Sequence, residues 1–208
     1  IVVTDDGALE NTCGVYTYIG EDFGYSTPPA FTVSAWNALP TPTQTQNYLD
    51  GFAKLNASSI TVDVSTDTMA IGTDGLPLNV SYTPAPMLFT PQNDGTVDYT
   101  FGADTIRYGP DSVLLDYSKE SNSEISPFTG DLDPMLTQVS DTEVTTVFTQ
   151  AFDLIGNQLR SGRIRMSNVY GSELSDLYMP MIVEYLVSPG VYTINSDDVC
   201  TTIADGDI

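Results

Sequence analysis

Short runs of alternating apolar and polar residues recur along this chain, and tight-turn dipeptides separate them. The alternation is clearest from Ile60 to Val64 and from Val97 to Phe101, where every second residue is β-branched or aromatic. A period of two places successive side chains on opposite faces, so each run predicts a half-buried strand. Asp74-Gly75 and Asp94-Gly95 supply the dipeptide of tight hairpins. The pattern therefore predicts an all-β fold of one or two Ig-like β-sandwich modules with very little helix.

The length of 208 residues suits either one large all-β domain or two modules of about 100 residues each. Strand-like runs continue on both sides of 102–110, where Gly109-Pro110 interrupts the pattern. Each side has enough predicted strands to close a sandwich of its own. We therefore predict a boundary near residue 105, with one β-sandwich module at 1–105 and a second at 106–208.

The charge of the chain is strongly one-sided, with 28 acidic residues against six basic ones and no histidine. A formal net charge of -22 repels phosphate backbones and anionic membrane surfaces, so we expect no nucleic-acid partner. The missing histidine removes the commonest general base and the usual transition-metal ligand. We therefore expect a protein that is not an enzyme.

Paired carboxylates in turn-like contexts are the candidate cation ligands. One residue separates Asp131 from Asp133, and one residue separates Asp205 from Asp207. Because Ca²⁺ prefers oxygen ligands, we identify these four aspartates as candidate structural calcium ligands, and we expect no other cofactor. Two other interpretations compete with this one. The carboxylates either only hydrogen-bond within solvated turns, or act as the carboxylate pair that glycoside hydrolysis needs.

Three of the six basic residues, Arg160, Arg163 and Arg165, lie close together in the sequence. On a strand, Arg163 and Arg165 point to one face, while Ile164 and Met166 point to the other. We expect the arginine face to meet carboxylates of this acidic chain and the opposite face to pack inward. The segment is therefore predicted to be a structural ion-pair strand, in preference to a ligand site.

The chain has two cysteines, Cys13 and Cys200, which is too few for a clustered thiolate zinc site. In a secreted chain such a pair predicts a disulfide, and the competing interpretation is that each cysteine pairs outside this sequence. The sequence starts without a signal region and ends without an anchor, from which we expect a segment of a longer chain. Its longest apolar stretches, such as Met179–Val183, are far shorter than the roughly 20 residues that cross a bilayer, so no membrane span is expected.

Several segments carry a resemblance to a known family. In order along the chain they are Cys13–Tyr18, Phe31–Asn37, Gln46–Lys54, Phe128–Asp133, Gly162–Leu174, Tyr178–Tyr185 and Asn195–Thr201. Their order and spacing resemble the C-terminal region of MshQ-like proteins, which are associated with mannose-sensitive haemagglutinin type IV pili. Gly162–Leu174 is the most specific segment, while Glu184-Tyr185-Leu186 stands where that region usually has an aromatic-Trp pair. The resemblance implies an extracellular, β-rich module of a large pilus-linked protein at the bacterial cell surface, with no catalytic residues to transfer.

These observations predict a structural or adhesive extracellular module of a pilus-associated or filament-forming bacterial surface protein. The expected partners are pilus or surface-filament subunits, including further copies of this chain that pair through edge strands. The alternative is a carbohydrate-binding or glycoside-processing β-sandwich domain, with glycans as partners. Trp36 and twelve tyrosines favour this alternative, because sugar rings stack on aromatic side chains.

Overall fold

The computed structural model describes residues 1–45, 52–66, 78, 80–109, 125–172, 174 and 178–202. Within these ranges the chain forms seventeen β-strands and no α-helix, which confirms the predicted all-β, sandwich-like class. The strands are β1 (Val2–Asp5), β2 (Ala8–Leu9), β3 (Thr17–Tyr18), β4 (Tyr25–Thr27), β5 (Ala30–Ser34), β6 (Ile60–Thr66), β7 (Val80–Thr83), β8 (Leu88–Pro91), β9 (Thr96–Thr100), β10 (Thr105–Tyr108), β11 (Phe128–Gly130), β12 (Leu132–Ser140), β13 (Thr145–Ala151), β14 (Asn157–Arg160), β15 (Gly162–Met166), β16 (Met181–Ser188) and β17 (Val191–Ile194).

Hydrogen bonds join these strands into six sheets. The largest has four strands in the order β1-β5-β9-β8. Three sheets have three strands each, in the orders β13-β12-β6, β11-β14-β3 and β15-β16-β17, and the pairs β10-β7 and β2-β4 complete the set. Neighbouring strands run antiparallel except β14 and β3, which run parallel and bring the start of the chain beside its last quarter.

The period-two pattern of the sequence holds in the central strands of the largest sheet. β5 and β9 each alternate half-buried and buried residues. Phe31 and Tyr99 face each other across this pair, and their rings stack with centroids 5.3 Å apart. The hairpin between β8 and β9 turns at Asp94-Gly95, where Gly95 has a φ of +84° and Asp94 accepts a hydrogen bond from the Thr96 amide. The tight turn predicted from this dipeptide is therefore confirmed.

Two hydrophobic cores lie between the sheets, and β12 contributes to both. The first consists of Leu9, Phe23, Leu78, Ile106, Tyr108, Ile125, Leu132 and Leu159. The second consists of Phe31, Val33, Val97, Tyr99, Phe101, Leu136 and Phe152. Each core mixes residues from 1–105 and 106–208, and β6 pairs with β12 across the same division. The packing thus interleaves the two ranges, and the boundary near residue 105 stays a prediction.

Candidate functional site

A disulfide between Cys13 and Cys200 joins the first strand region to the last. The two Cα atoms are 5.3 Å apart, although 187 positions separate the residues in the sequence. The Asp198 carboxylate lies beside the bond and accepts hydrogen bonds from the Cys200 amide and the Tyr16 hydroxyl. Burial opposes ionisation of Asp198, but hydrogen bonds from Thr201, Cys200 and Tyr16 outweigh it and lower the pKa of this carboxyl. The disulfide therefore joins two distant parts of the chain, and the ionised Asp198 carboxylate lies beside it.

The donor atoms of Cys13, Asp198 and Cys200 lie within 4.8 Å of one another, and they form the three-ligand group that the described residues contain. Both sulfurs are engaged in the disulfide, so they offer no thiolate to a metal ion. In the oxidised protein this group is therefore a disulfide with a neighbouring carboxylate and not a set of three metal ligands.

The structure places two of the four calcium candidates. Asp131 immediately precedes β12, and its backbone carbonyl accepts a hydrogen bond from the Tyr108 hydroxyl. Asp133 lies within β12, and both aspartates are exposed. In the described ranges no third carboxylate gathers with this pair into a three-ligand group. Asp205 and Asp207 lie outside the described residues, so calcium binding by these four aspartates stays a prediction.

Arg160 is the most enclosed cation of the region, with a residue exposure of 7%. It ends β14, beside β3, and its guanidinium lies between two aromatic rings. The guanidinium carbon is 4.3 Å from the ring centroid of Tyr16 and 4.6 Å from that of Tyr185. A cation held over aromatic faces gains electrostatic attraction that grows as water is excluded. The contact links a loop near the start of the chain to β16.

Asn195 completes this arrangement by hydrogen bonding in both directions. Its Oδ1 accepts a bond of 3.0 Å from Arg160 Nη1, and its Nδ2 donates bonds of 2.8 Å and 2.7 Å to the hydroxyls of Tyr16 and Tyr18. Burial, together with the neighbouring Tyr18 hydroxyl, raises the pKa of Tyr16 far above its usual value. We call Tyr16, Tyr18, Arg160, Tyr185 and Asn195 the Arg160 clamp.

Gly162 leaves room for the ring of Tyr18, one of the residues of the Arg160 clamp. It is the first residue of β15, and a Cβ added there would overlap the ring of Tyr18. Glycine is the residue that lets a ring approach the backbone this closely. A larger residue at this position would push the Tyr18 ring away from β15.

Arg163 and Arg165 point to one face of β15, as the strand period predicts, and both reach Glu184 on β16. Arg163 Nη2 is 2.7 Å from Glu184 Oε2, and Arg165 Nε is 2.8 Å from Glu184 Oε1. The hydrogen bond from Arg163, with the charge of Arg165, lowers the pKa of the Glu184 carboxyl. Arg163 also stacks over Tyr192, with 3.3 Å between its guanidinium carbon and the ring centroid. The described contacts of this strand are those of a structural ion-pair network.

The expected inward packing of the opposite face of β15 is wrong. Ile164 is 40% exposed and Met166 is 55% exposed. The same face is covered at its other end, where Gly162 and Tyr185 take part in the packing of the Arg160 clamp. The sequence pattern fixes which side chains share a face, whereas tertiary packing decides whether that face is covered.

Sequence reasoning missed Glu184, Asn195 and the tyrosines of the Arg160 clamp. Glu184 is the single charged residue in the apolar run of β16, and such a residue signals a partner of opposite charge. Asn195 follows β17 directly and gives no comparable signal.

A second buried carboxylate, Asp104, was not predicted either. It is 6% exposed, and it accepts hydrogen bonds from the Tyr82 hydroxyl at 2.5 Å, the Tyr25 hydroxyl at 3.2 Å and the Ala85 amide at 2.7 Å. Burial raises the pKa values of Tyr25 and Tyr82 far above the usual tyrosine range, and proximity to Asp104 adds to this. With these three donors, Asp104 ties β4, β7 and the following loop together.

No helix in the described part of the chain is long and apolar enough to cross a membrane. Two family models match the sequence. The model described as DUF6701, third domain, matches residues 1–155, and the one described as DUF6701, fourth domain, matches residues 160–208. Comparison with curated proteins and with solved structures returns no match. The Arg160 clamp and the disulfide both connect the first matched range to the second.

Proposed function

The chain belongs to the DUF6701 family, and we propose that it is a structural or adhesive extracellular module of a pilus-associated or filament-forming bacterial surface protein. The observation that carries the proposal is the closure between the two matched ranges. A disulfide joins Cys13 to Cys200, and the Arg160 clamp packs beside it. Such closure suits a domain that holds its shape outside the cell.

The disulfide supports the extracellular part of the proposal. Disulfides persist in oxidising compartments and on cell surfaces, whereas the reducing cytosol keeps thiols free. The net charge of -22 acts in the same direction, since it keeps an exposed protein soluble and away from anionic surfaces. The resemblance to MshQ-like proteins supports the association with a pilus.

Edge strands in the described part of the chain support the proposed partners. β8 is an edge strand of the four-stranded sheet, and all four of its residues are exposed. An exposed edge offers backbone donors and acceptors to a strand from another chain. Pilus or filament subunits, or further copies of this chain, are the proposed occupants.

Fractionation of the native bacterium combined with thiol labelling tests the proposal. We expect the protein in an envelope or appendage fraction, accessible to an impermeant surface label, with Cys13 and Cys200 recovered as one linked peptide after non-reducing digestion. The double variant Cys13→Ser/Cys200→Ser serves as the control for labelling. A soluble cytoplasmic protein with two free thiols would overturn the proposal.

A further inference from the structure

Trp36, the sole tryptophan of the chain, is an exposed aromatic side chain that borders a groove. It is 60% exposed and lines a groove of about 620 Å³. The groove opens between the end of β5 and the hairpin of β12 and β13, with Val33, Val139 and Phe148 among its apolar lining residues. A large exposed ring beside a groove marks a binding surface more strongly than a scattered apolar residue does.

Hydrogen bonds, rather than burial, hold the ring and its loop in place. Trp36 Nε1 donates a bond of 3.0 Å to Ser34 Oγ, which fixes one edge of the indole. Asn37 and Thr43 are joined by both backbone and side-chain bonds, and Gln44 Nε2 reaches the Asp94 carbonyl at 3.2 Å. A platform held in this way is organised before a ligand arrives, which lowers the entropic cost of binding.

Polar groups share the groove with the ring. Thr146, Thr149 and Gln150 on β13 are lining residues, as is Asp141 from the β12–β13 turn. Gln150 Nε2 donates to the Ala151 carbonyl and Asp141 Oδ1 accepts from two amides of its own turn, so the two threonines are the lining residues that offer hydroxyl groups to a ligand. A binding site typically combines an apolar surface with a few polar groups that fix orientation. Here the apolar surface is a flat aromatic ring, and the hydroxyls of Thr146 and Thr149 suit a hydroxyl-bearing ligand.

We propose that the Trp36 groove binds a neutral glycan, with the apolar C–H face of one sugar ring stacked on the indole. The hydroxyls of that sugar hydrogen-bond to the threonine hydroxyls on β13. The acidic field of the chain disfavours sialylated or sulfated sugars. The inference deepens the adhesive form of the proposed function and rests on it, since it names the ligand class that the surface module would hold.

The single tryptophan makes the experiment specific, because intrinsic tryptophan fluorescence reports on this groove alone. The protein is screened on an array of neutral oligosaccharides ending in hexose or N-acetylhexosamine, with sialylated and sulfated oligosaccharides as a charged arm. Neutral hits are then titrated in solution. We expect neutral hits, a shift of Trp36 emission on titration, and weak or absent binding in the charged arm.

Matched variants separate the groove from the rest of the surface. Trp36→Ala is expected to lower affinity by about tenfold, while Trp36→Phe retains a stacking ring and most of the binding. Phe52→Ala removes another exposed aromatic ring, 73% exposed and outside the groove, and should leave affinity unchanged. Array binding is also measured for each variant, so the result does not depend on the fluorophore.

The failure of this inference differs from that of the proposed function. Absence of binding to every neutral glycan, or equal binding by the Trp36→Ala variant, overturns the glycan site even if the protein is found at the cell surface. A change in Trp36 emission that follows protein concentration instead of glycan overturns it too, in favour of contact between copies. A cytoplasmic location would overturn the surface role and leave measured glycan binding intact.

Discussion

The guanidinium carbon of Arg160 lies 4.3 Å from the ring centroid of Tyr16, and this contact joins the two ranges that the family models match. The parallel pairing of β14 with β3 positions the arginine, since Leu159 and Arg160 lie opposite Thr17 and Tyr18. When one member of such an enclosed contact is removed, the polar groups that stay behind are buried without a partner, and the folded state loses stability. The contact therefore gives a sharp prediction for stability.

Replacing Arg160 with alanine should destabilise the protein by roughly 1–3 kcal/mol, because the change leaves the buried Asn195 Oδ1 without the donor it has in the fold and removes the cation held between Tyr16 and Tyr185. Arg160→Lys should cost less but still destabilise, since lysine keeps the charge and loses the planar fork that spans several acceptors. Urea unfolding followed by far-UV circular dichroism, with the disulfide intact, measures both effects.

Arg107→Ala is the matched control for Arg160. Arg107 forms a salt bridge with Asp22, whose side chain is 50% exposed, and such pairs contribute at most about 1 kcal/mol. Arg160 forms a comparable salt bridge with Asp197, 51% exposed, so the control isolates the added effect of the rings and Asn195. If Arg160→Ala costs no more than this control, the clamp does not stabilise the fold.

Glu184 predicts a specific acid dependence. Its pKa is lowered in the fold, so the stability it contributes is present above the unfolded glutamate pKa of about 4.3 and is lost as pH falls through the folded value. We expect the unfolding free energy, measured from about pH 6 downward, to fall more steeply for the natural chain than for Glu184→Gln once the pH is below about 4.3. Arg163→Gln removes the strongest hydrogen bond to the carboxylate and should flatten the profile as well. Parallel profiles for all three proteins would contradict the prediction.

Asp104→Ala should destabilise the fold by roughly 2–4 kcal/mol, because it removes the shared acceptor of two tyrosine hydroxyls and a backbone amide. In a Tyr25→Phe/Tyr82→Phe background the same change should cost distinctly less, since the stranded hydroxyls are then absent. A double-mutant cycle from urea unfolding yields this coupling. Equal costs in both backgrounds would show that the hydroxyls do not depend on Asp104.

The strands and turns were predictable because they depend on local sequence. Alternation from Val97 to Tyr99 predicts a half-buried strand, and Asp94-Gly95 predicts the hairpin that precedes it, without any knowledge of partners. Period two likewise places Arg163 and Arg165 on one face. These features require only neighbouring residues.

The contacts that build the site depend on residues far apart in the chain, and no local pattern specifies them. Nothing near Arg163 identifies Glu184 as its partner, and nothing near Arg160 identifies Tyr16. The open face at Ile164 shows the same limit, since its coverage depends on how the β15-β16-β17 sheet meets the rest of the fold. Asp104 illustrates a third case, in which a polar residue after Gly102 becomes buried because two tyrosines from different strands converge on it.

The disulfide predicts how the module responds to tension applied between its ends. Because Cys13 and Cys200 are bonded, force passes through the bridge, and the 187-residue separation cannot contribute to extension while the bond is intact. Reduction under load should release roughly 62–67 nm of contour length, from about 3.3–3.6 Å for each extended residue. Losing the bond should also lower the unfolding free energy by on the order of 5 kcal/mol in the chain-entropy model.

Single-molecule pulling with handles at the two ends, with and without a reductant, measures the extension. The Cys13→Ser/Cys200→Ser variant should extend fully without reductant, and a natural chain that lengthens by the full amount in oxidising buffer would show that the bridge does not carry the force.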